Sequence, residues 1–294
     1  MFDIAKRLKE KRPELSAGTL RTYVSLLNAL HRRVFGDDDF DIDNFDDWES
    51  VKEDLDKKPL NSRKTVLSAL YVLTELPKYN ELMRKGIDDY NTDTNKREMN
   101  DKQKSAFKTQ EEIREIFDDY QKKANLLYKK QNRNVRDVQE IQDFIILALC
   151  SGVLIAPRRS LDYTKFKIAN LDDDSNYFRD GKEFVFRTYK TSQIKGEQVV
   201  PVPPELRRIL KKWLLINPTD YLLHDVYGNP LNSTKLTQRL NRIFGGNFSI
   251  NGLRHSYLSN KYQDTIKMEE EMKRDFEAMG SSDKQKNIYI QKIE

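Results

Sequence analysis

Apolar positions in the first third of the chain recur at intervals of three and four. Leu20, Tyr23, Leu26, Leu27 and Leu30 share one face of a predicted helix that follows Ser16 and stops at Gly36. A second run, Val66, Leu67, Leu70, Val72 and Leu73, begins near Asn61 and is predicted to stop at Pro77. The acidic stretch Asp37–Glu49 between them reads as a solvated loop. Residues 86–108 hold few apolar side chains and read as a helix end followed by a linker. Thr109 with Glu112 predicts a capping box, and Ile141–Leu149 predicts a buried helix.

After Leu171 the period changes. Asp180-Gly181 predicts a tight hairpin turn within 176–182, and Glu183–Tyr189 and Gln198–Val202 read as strands. Helices are predicted from Pro204 through Leu215 and over 233–244, 252–262, 266–279 and 285–293. The expected architecture is mainly α with a small antiparallel β-sheet in the second domain (α+β), the domains spanning 1–100 and 108–294.

Composition narrows the function classes. The chain has 294 residues, of which 34% are charged and 10% aromatic, so it is expected to be folded and heavily solvated. No apolar run approaches the roughly 20 residues of a membrane span. Cys150 is the single cysteine, which rules out an internal disulfide and a thiolate-rich zinc site. With three histidines (His31, His224 and His255), a metal site would have to be built from carboxylates. Asp172, Asp174, Asn176 and Glu183 have calcium-loop spacing, but Tyr177 stands where the sharp turn needs glycine. No metal or cofactor is expected. The start, Met1–Arg7, shows no apolar signal region, so an intracellular, non-secreted protein is expected. The net charge of +5 is uneven. Residues 1–107 carry 20 basic and 21 acidic side chains, the remainder 32 and 26, which permits nucleic-acid binding by the second domain.

Four features of the second domain carry candidate chemistry. Pro157-Arg158-Arg159-Ser160-Leu161-Asp162 follows the buried helix, where a planar guanidinium suits phosphate oxygens. Tyr189-Lys190-Thr191 closes a strand, and a partly desolvated lysine there is a tunable proton donor; Lys195 in the same turn is its rival. Asn251-Gly252-Leu253-Arg254-His255 puts a cation and a near-neutral titrating group at a helix start. Gly280-Ser281 precedes Tyr289 near the carboxyl end, where Ile288, Ile290 and Ile293 form an apolar segment.

Taken in order, this set resembles the tyrosine recombinase (phage-type integrase) family over roughly residues 140–291, in particular its divergent branch of viruses and mobile elements. The resemblance implies that Arg159, Lys190, Asn251, Arg254, His255, Ser281 and Tyr289 form the catalytic site. Arg159 is preferred to Arg158 because it lies three residues before Asp162, as in the family pattern. Three departures stand out: Asn251 where His or Lys is common, Ser281 where His or Trp is common, and nine positions from Gly280 to Tyr289 where ten is frequent. The implied function is site-specific recombination or integration through a covalent 3′-phosphotyrosyl link, without cofactor. Type IB topoisomerase-like relaxation, or a catalytically weakened DNA-binding protein of the same fold, is the alternative. The implied partner is double-stranded DNA, bound by a homo-tetramer on paired sites in the cytoplasm, or in the nucleus for a eukaryotic virus or element. The first domain is similar to the family's helical core-binding domain. Arg21, Arg63, Lys64, Arg158 and Lys195 are the expected DNA contacts, and Ile288–Ile293 is a docking segment for a neighbouring copy.

Overall fold

The computed structural model describes residues 3–36, 39–164 and 166–291. The chain forms two compact units, Met1–Glu98 and Met99–Glu294.

The first unit is helical: α1 (Ile4–Lys11), α2 (Ala17–Phe35), α3 (Trp48–Asp56), α4 (Leu60–Thr74) and α5 (Pro77–Asn95). Ser16 caps α2 by accepting from the Thr19 amide, and Gly36 ends it at φ 98°. Leu8, Leu27, Leu30, Leu55, Leu67 and Leu70 meet in the core. The Tyr79 hydroxyl donates to the Phe45 carbonyl (2.6 Å). The acidic stretch is not all loop. After a 3-10 turn at Asp43–Asp46 it becomes α3, because Val51 and Leu55 are buried beneath its carboxylates. Asp37 and Asp38 lie outside the described residues. The predicted stop at Pro77 also moves. Glu75, at φ 59°, ends α4, and Pro77 opens α5, where its missing N–H costs nothing.

The second unit begins with α6 (Asp101–Ser105), α7 (Gln110–Tyr128) and α8 (Val135–Cys150). The Thr109–Glu112 capping box starts α7, and a second one, Asn134–Asp137, starts α8. Ile145 to Cys150 are fully buried, which makes the end of α8 the fixed floor of this unit. Burial pushes the Cys150 thiol up from its ordinary range. There follow α9 (Ser160–Thr164), β1 (Phe166–Lys167), β2 (Asn176–Arg179), β3 (Glu183–Phe186), α10 (Ser192–Lys195) and β4 (Gln198–Pro201). The sheet order is β1-β2-β3-β4. It is mixed, not wholly antiparallel as expected: β2–β3 and β3–β4 are antiparallel, whereas the two-residue β1 runs parallel to β2. Asp180 and Gly181, at φ 51° and 64°, make the hairpin turn, and the Lys182 amide donates to the Arg179 carbonyl (2.9 Å).

Helices α11 (Pro204–Leu214), α12 (Ser233–Phe244), α13 (Ile250–Lys261), α14 (Gln263–Ala278) and α15 (Lys286–Tyr289) complete the unit. Asp143 of α8 accepts from Arg239 and Arg242 of α12 (both 2.6 Å), a buried ionic tie between the two helices. The last predicted helix is shorter than expected, ending at Tyr289, and Ile293 lies outside the described residues. No helix among the described residues is long and apolar enough to cross a membrane.

Candidate active site

The site is built outward from the end of α8. Gly152 follows Ser151 at φ +84°, and a Cβ added there would come within 2.6 Å of the Tyr257 ring on α13. Only glycine satisfies both constraints, so the turn that carries the arginines sits directly against the helix that carries Arg254. Tyr163 fixes the other side of the turn. Its buried hydroxyl donates to the Leu149 carbonyl (2.9 Å) and accepts from the Arg158 amide (3.2 Å).

The two adjacent arginines then part company. Arg158 turns inward: its Nε donates to Asp162 Oδ2 (2.7 Å) and its Nη2 to Gln198 Oε1 (3.1 Å), and its guanidinium lies 3.9 Å from the Phe186 ring centroid. Two of the fork's five N–H donors are thus claimed by the protein itself, and its face is covered by an aromatic ring. Arg159 is exposed and has no ion pair or hydrogen bond from its side chain among the described residues. Both line a cleft of about 380 Å³ with Asp162, Tyr189, Lys195, Gln198 and Arg254.

Arg254 enters from the first turns of α13, where Ser249 accepts from the Gly252 amide and Leu253 is fully buried. Its Nη1 donates to Asn251 Oδ1 (3.4 Å). Burial, and then the charge of Arg159, push the Arg254 guanidinium below its ordinary value. Two like charges are thus held near each other. The cleft's one carboxylate, Asp162, is buried and taken by Arg158; burial raises its carboxyl against that pull, and Oδ1 has no hydrogen-bond partner. The cleft lining therefore carries cationic groups in excess of its carboxylate.

Lys195 lines the cleft from the one-turn helix α10, whose neighbouring residue Ile194 is almost wholly exposed. The expected β-turn is this helical turn, closed by the Tyr189 hydroxyl donating to the Gly196 carbonyl (2.8 Å). Lys190 is exposed and is not among the lining residues. His255 is exposed beside Arg254 and also lies off the lining. The Ser281 amide donates to the Phe276 carbonyl (2.8 Å), and Tyr289 packs edge-on against the Phe276 ring, 5.8 Å between centroids, with about half its surface open. The structure thus gathers Arg158, Arg159, Lys195 and Arg254 around one cleft and joins Asn251 to Arg254. It leaves Lys190, His255, Ser281 and Tyr289 outside the lining.

In the first unit the expected DNA contacts differ among themselves. Arg63 turns back onto α3, donating to Asp56 Oδ1 (3.0 Å) and to the Asp56 and Lys58 carbonyls (both 3.1 Å). Lys64 places its ammonium 3.3 Å from the Tyr90 ring centroid, and Arg21 donates from Nε to the Ala17 carbonyl (3.3 Å) on an exposed face. Sequence reading missed Asn176, Gln198, Tyr163 and Tyr257, which hold the site together. Of these only Asn176, a polar residue directly before the aromatic pair Tyr177-Phe178 of β2, carried a local signal.

The fold is similar to that of lambda integrase and of XerA recombinase. A lambda integrase (residues 75–356) dimer bound to a COC′ core site has a TM-score of 0.47 at 14% identity, covering 89% of this chain and 89% of that one. A lambda integrase tetramer bound to a Holliday junction gives 0.48 at 14% identity, over 88% and 72%. XerA recombinase gives 0.37 at 12% identity, over 90% and 85%. The sequence matches no protein-family model and no curated protein.

Proposed function

We propose that the chain is a DNA strand transferase of the tyrosine recombinase type, acting on duplex DNA through a covalent 3′-phosphotyrosyl intermediate. The observation that carries this reading is the meeting of Arg159 and Arg254 at one cleft whose lining carboxylate is already committed to Arg158. A phosphodiester supplies the missing counter-charge, and two planar forks match its non-bridging oxygens. Tyr289 attacks phosphorus, the bond to the 5′-oxygen breaks, and the phenolic proton passes to His255. Lys195, by its place in the cleft, donates a proton to the departing oxygen. The ester keeps the bond energy, so a 5′-hydroxyl reverses the step. The reading requires the segment after α14 to carry Tyr289 from Phe276 to the cleft. Assembly as a homo-tetramer on paired sites, DNA contacts from the first unit, and an intracellular setting belong to the same proposal.

A second reading, a DNA-binding protein of this fold without strand cleavage, is favoured by the place of Tyr289 on Phe276 and by Asn251 and Ser281. A nicked suicide duplex separates the two. Wild type is expected to yield a protein–DNA adduct on denaturing gels and Tyr289→Phe none. An adduct of equal yield from Tyr289→Phe removes that residue from its role, and no adduct from either supports the second reading. Relaxation of supercoils without exchange between paired sites would move the chain toward type IB topoisomerase chemistry.

A further inference from the structure

Asn176 is fully buried at the first position of β2 and makes four hydrogen bonds from its side chain. Its Nδ2 donates to the Asp162 carbonyl (2.9 Å) and to the Thr188 carbonyl (2.8 Å). Its Oδ1 accepts from the amides of Arg187 (2.8 Å) and Thr188 (2.9 Å). That uses the two donors and two lone pairs of the amide, and the opposite amide orientation would satisfy none of the four.

The partners matter more than their number. Asp162 belongs to α9, lies three residues after Arg159 and holds the Arg158 fork. Arg187 and Thr188 are where the chain leaves β3, whose ladder ends at Phe186, and enters the loop through Tyr189 to Lys195. A single side chain therefore fastens the arginine turn to the root of the lysine loop. We propose that Asn176 is the positioning residue of the cleft: it sets the arginines and Lys195 in register without touching the substrate. This rests on the anion-site reading above and adds the element that keeps its two halves together. Arg158 also crosses those halves, donating to Gln198 on β4 beyond the loop and lying over the rings of Phe186 and Tyr189.

Asn176→Asp is the discriminating variant. It keeps the acceptor for both amides but sets an oxygen against two carbonyl oxygens, unless the new carboxyl is protonated and donates to one of them. The Arg158 Nε–H resonance reads register without any reaction, and single-turnover adduct formation on the nicked duplex reads the chemistry, both well below the unfolding midpoint. With positioning, the variant unfolds cooperatively and binds intact duplex within about threefold of wild type. Its Arg158 Nε–H signal shifts at pH 8, adduct formation slows at least tenfold, and both recover toward wild type as the pH is lowered to 6. An Arg158 signal unmoved in the folded variant overturns the proposal whatever the activity. So does a cleavage loss that only tracks a loss of folded protein or of duplex affinity. A wild type that forms no adduct, with the Arg158 signal still shifted by the substitution, fails the recombinase reading and leaves the positioning claim standing.

Discussion

The ring of Tyr257 fills the space where any side chain at position 152 would begin, with Cδ2 at 2.6 Å from a Cβ built on Gly152. This contact couples the arginine turn to α13, and it makes the most direct structural prediction. Gly152→Ala meets both the ring and a left-handed backbone, and is expected to lower stability by about 1–3 kcal/mol. Urea unfolding checks it, and Tyr257→Ala in the same chain should return part of the loss by removing the ring.

Adjacent arginines are expected to give opposite phenotypes. Arg158→Ala leaves the buried Asp162 carboxylate without its partner and should destabilise by on the order of 3 kcal/mol. Arg159→Ala touches no internal pair and should leave stability within about 0.5 kcal/mol. It should slow adduct formation roughly 100- to 1,000-fold, as loss of one donor to a developing charge does. Equal unfolding midpoints for the two variants would contradict the division of labour.

Lys195, not Lys190, is expected to be the proton donor. Lys195→Ala should slow cleavage of an ordinary duplex by about 100-fold or more. Replacing the bridging 5′-oxygen by sulfur, whose thiolate leaves without a proton, should erase most of that defect. If Lys190→Ala shows the rescue and Lys195→Ala does not, Lys190 reaches the site by moving from outside the cleft lining.

A buried histidine predicts the acid side of stability. His224 lies buried with its ring stacked on Trp213 (5.9 Å between centroids, 9° between planes), and Nδ1–H donates to the Asp225 carbonyl (2.8 Å). Nε2 is buried with no partner, and burial holds the imidazole below its ordinary value. A depressed histidine means the unfolded chain takes up its proton first. Stability is therefore expected to fall as pH drops below about 6.5 and to level once the folded ring is also charged. His224→Asn, which keeps a donor for the carbonyl, should flatten that part of the urea midpoint–pH curve.

Much of this fold was legible. The three–four spacing that marks α2 and the Asp-Gly turn are local signals, and so is the Thr109–Glu112 box; local hydrogen bonds and packing answer to them. What escaped was set by distant partners. Helix α3 hides two core residues under a run of carboxylates, and β1 is two residues long, too short to show a period. Choosing between Arg158 and Arg159 depends on Phe186 and Gln198, some 28 and 40 positions away, which no spacing rule near the arginines contains. Preferring Arg159 from its offset to Asp162 led to the open guanidinium, yet the carboxylate at that offset bonds Arg158. The lysine turn, by contrast, could not be ordered from sequence, because α10 and the Tyr189–Gly196 closure decide which ammonium turns toward the arginines.

The floor beneath the arginine turn carries its own reporter. Cys150 is the chain's single thiol, sealed at the last residue of α8, so an alkylating reagent meets nothing to modify while that floor is closed. Labelling kinetics in native buffer would then clock the breathing of the platform itself, with no engineered probe and no competing cysteine to subtract.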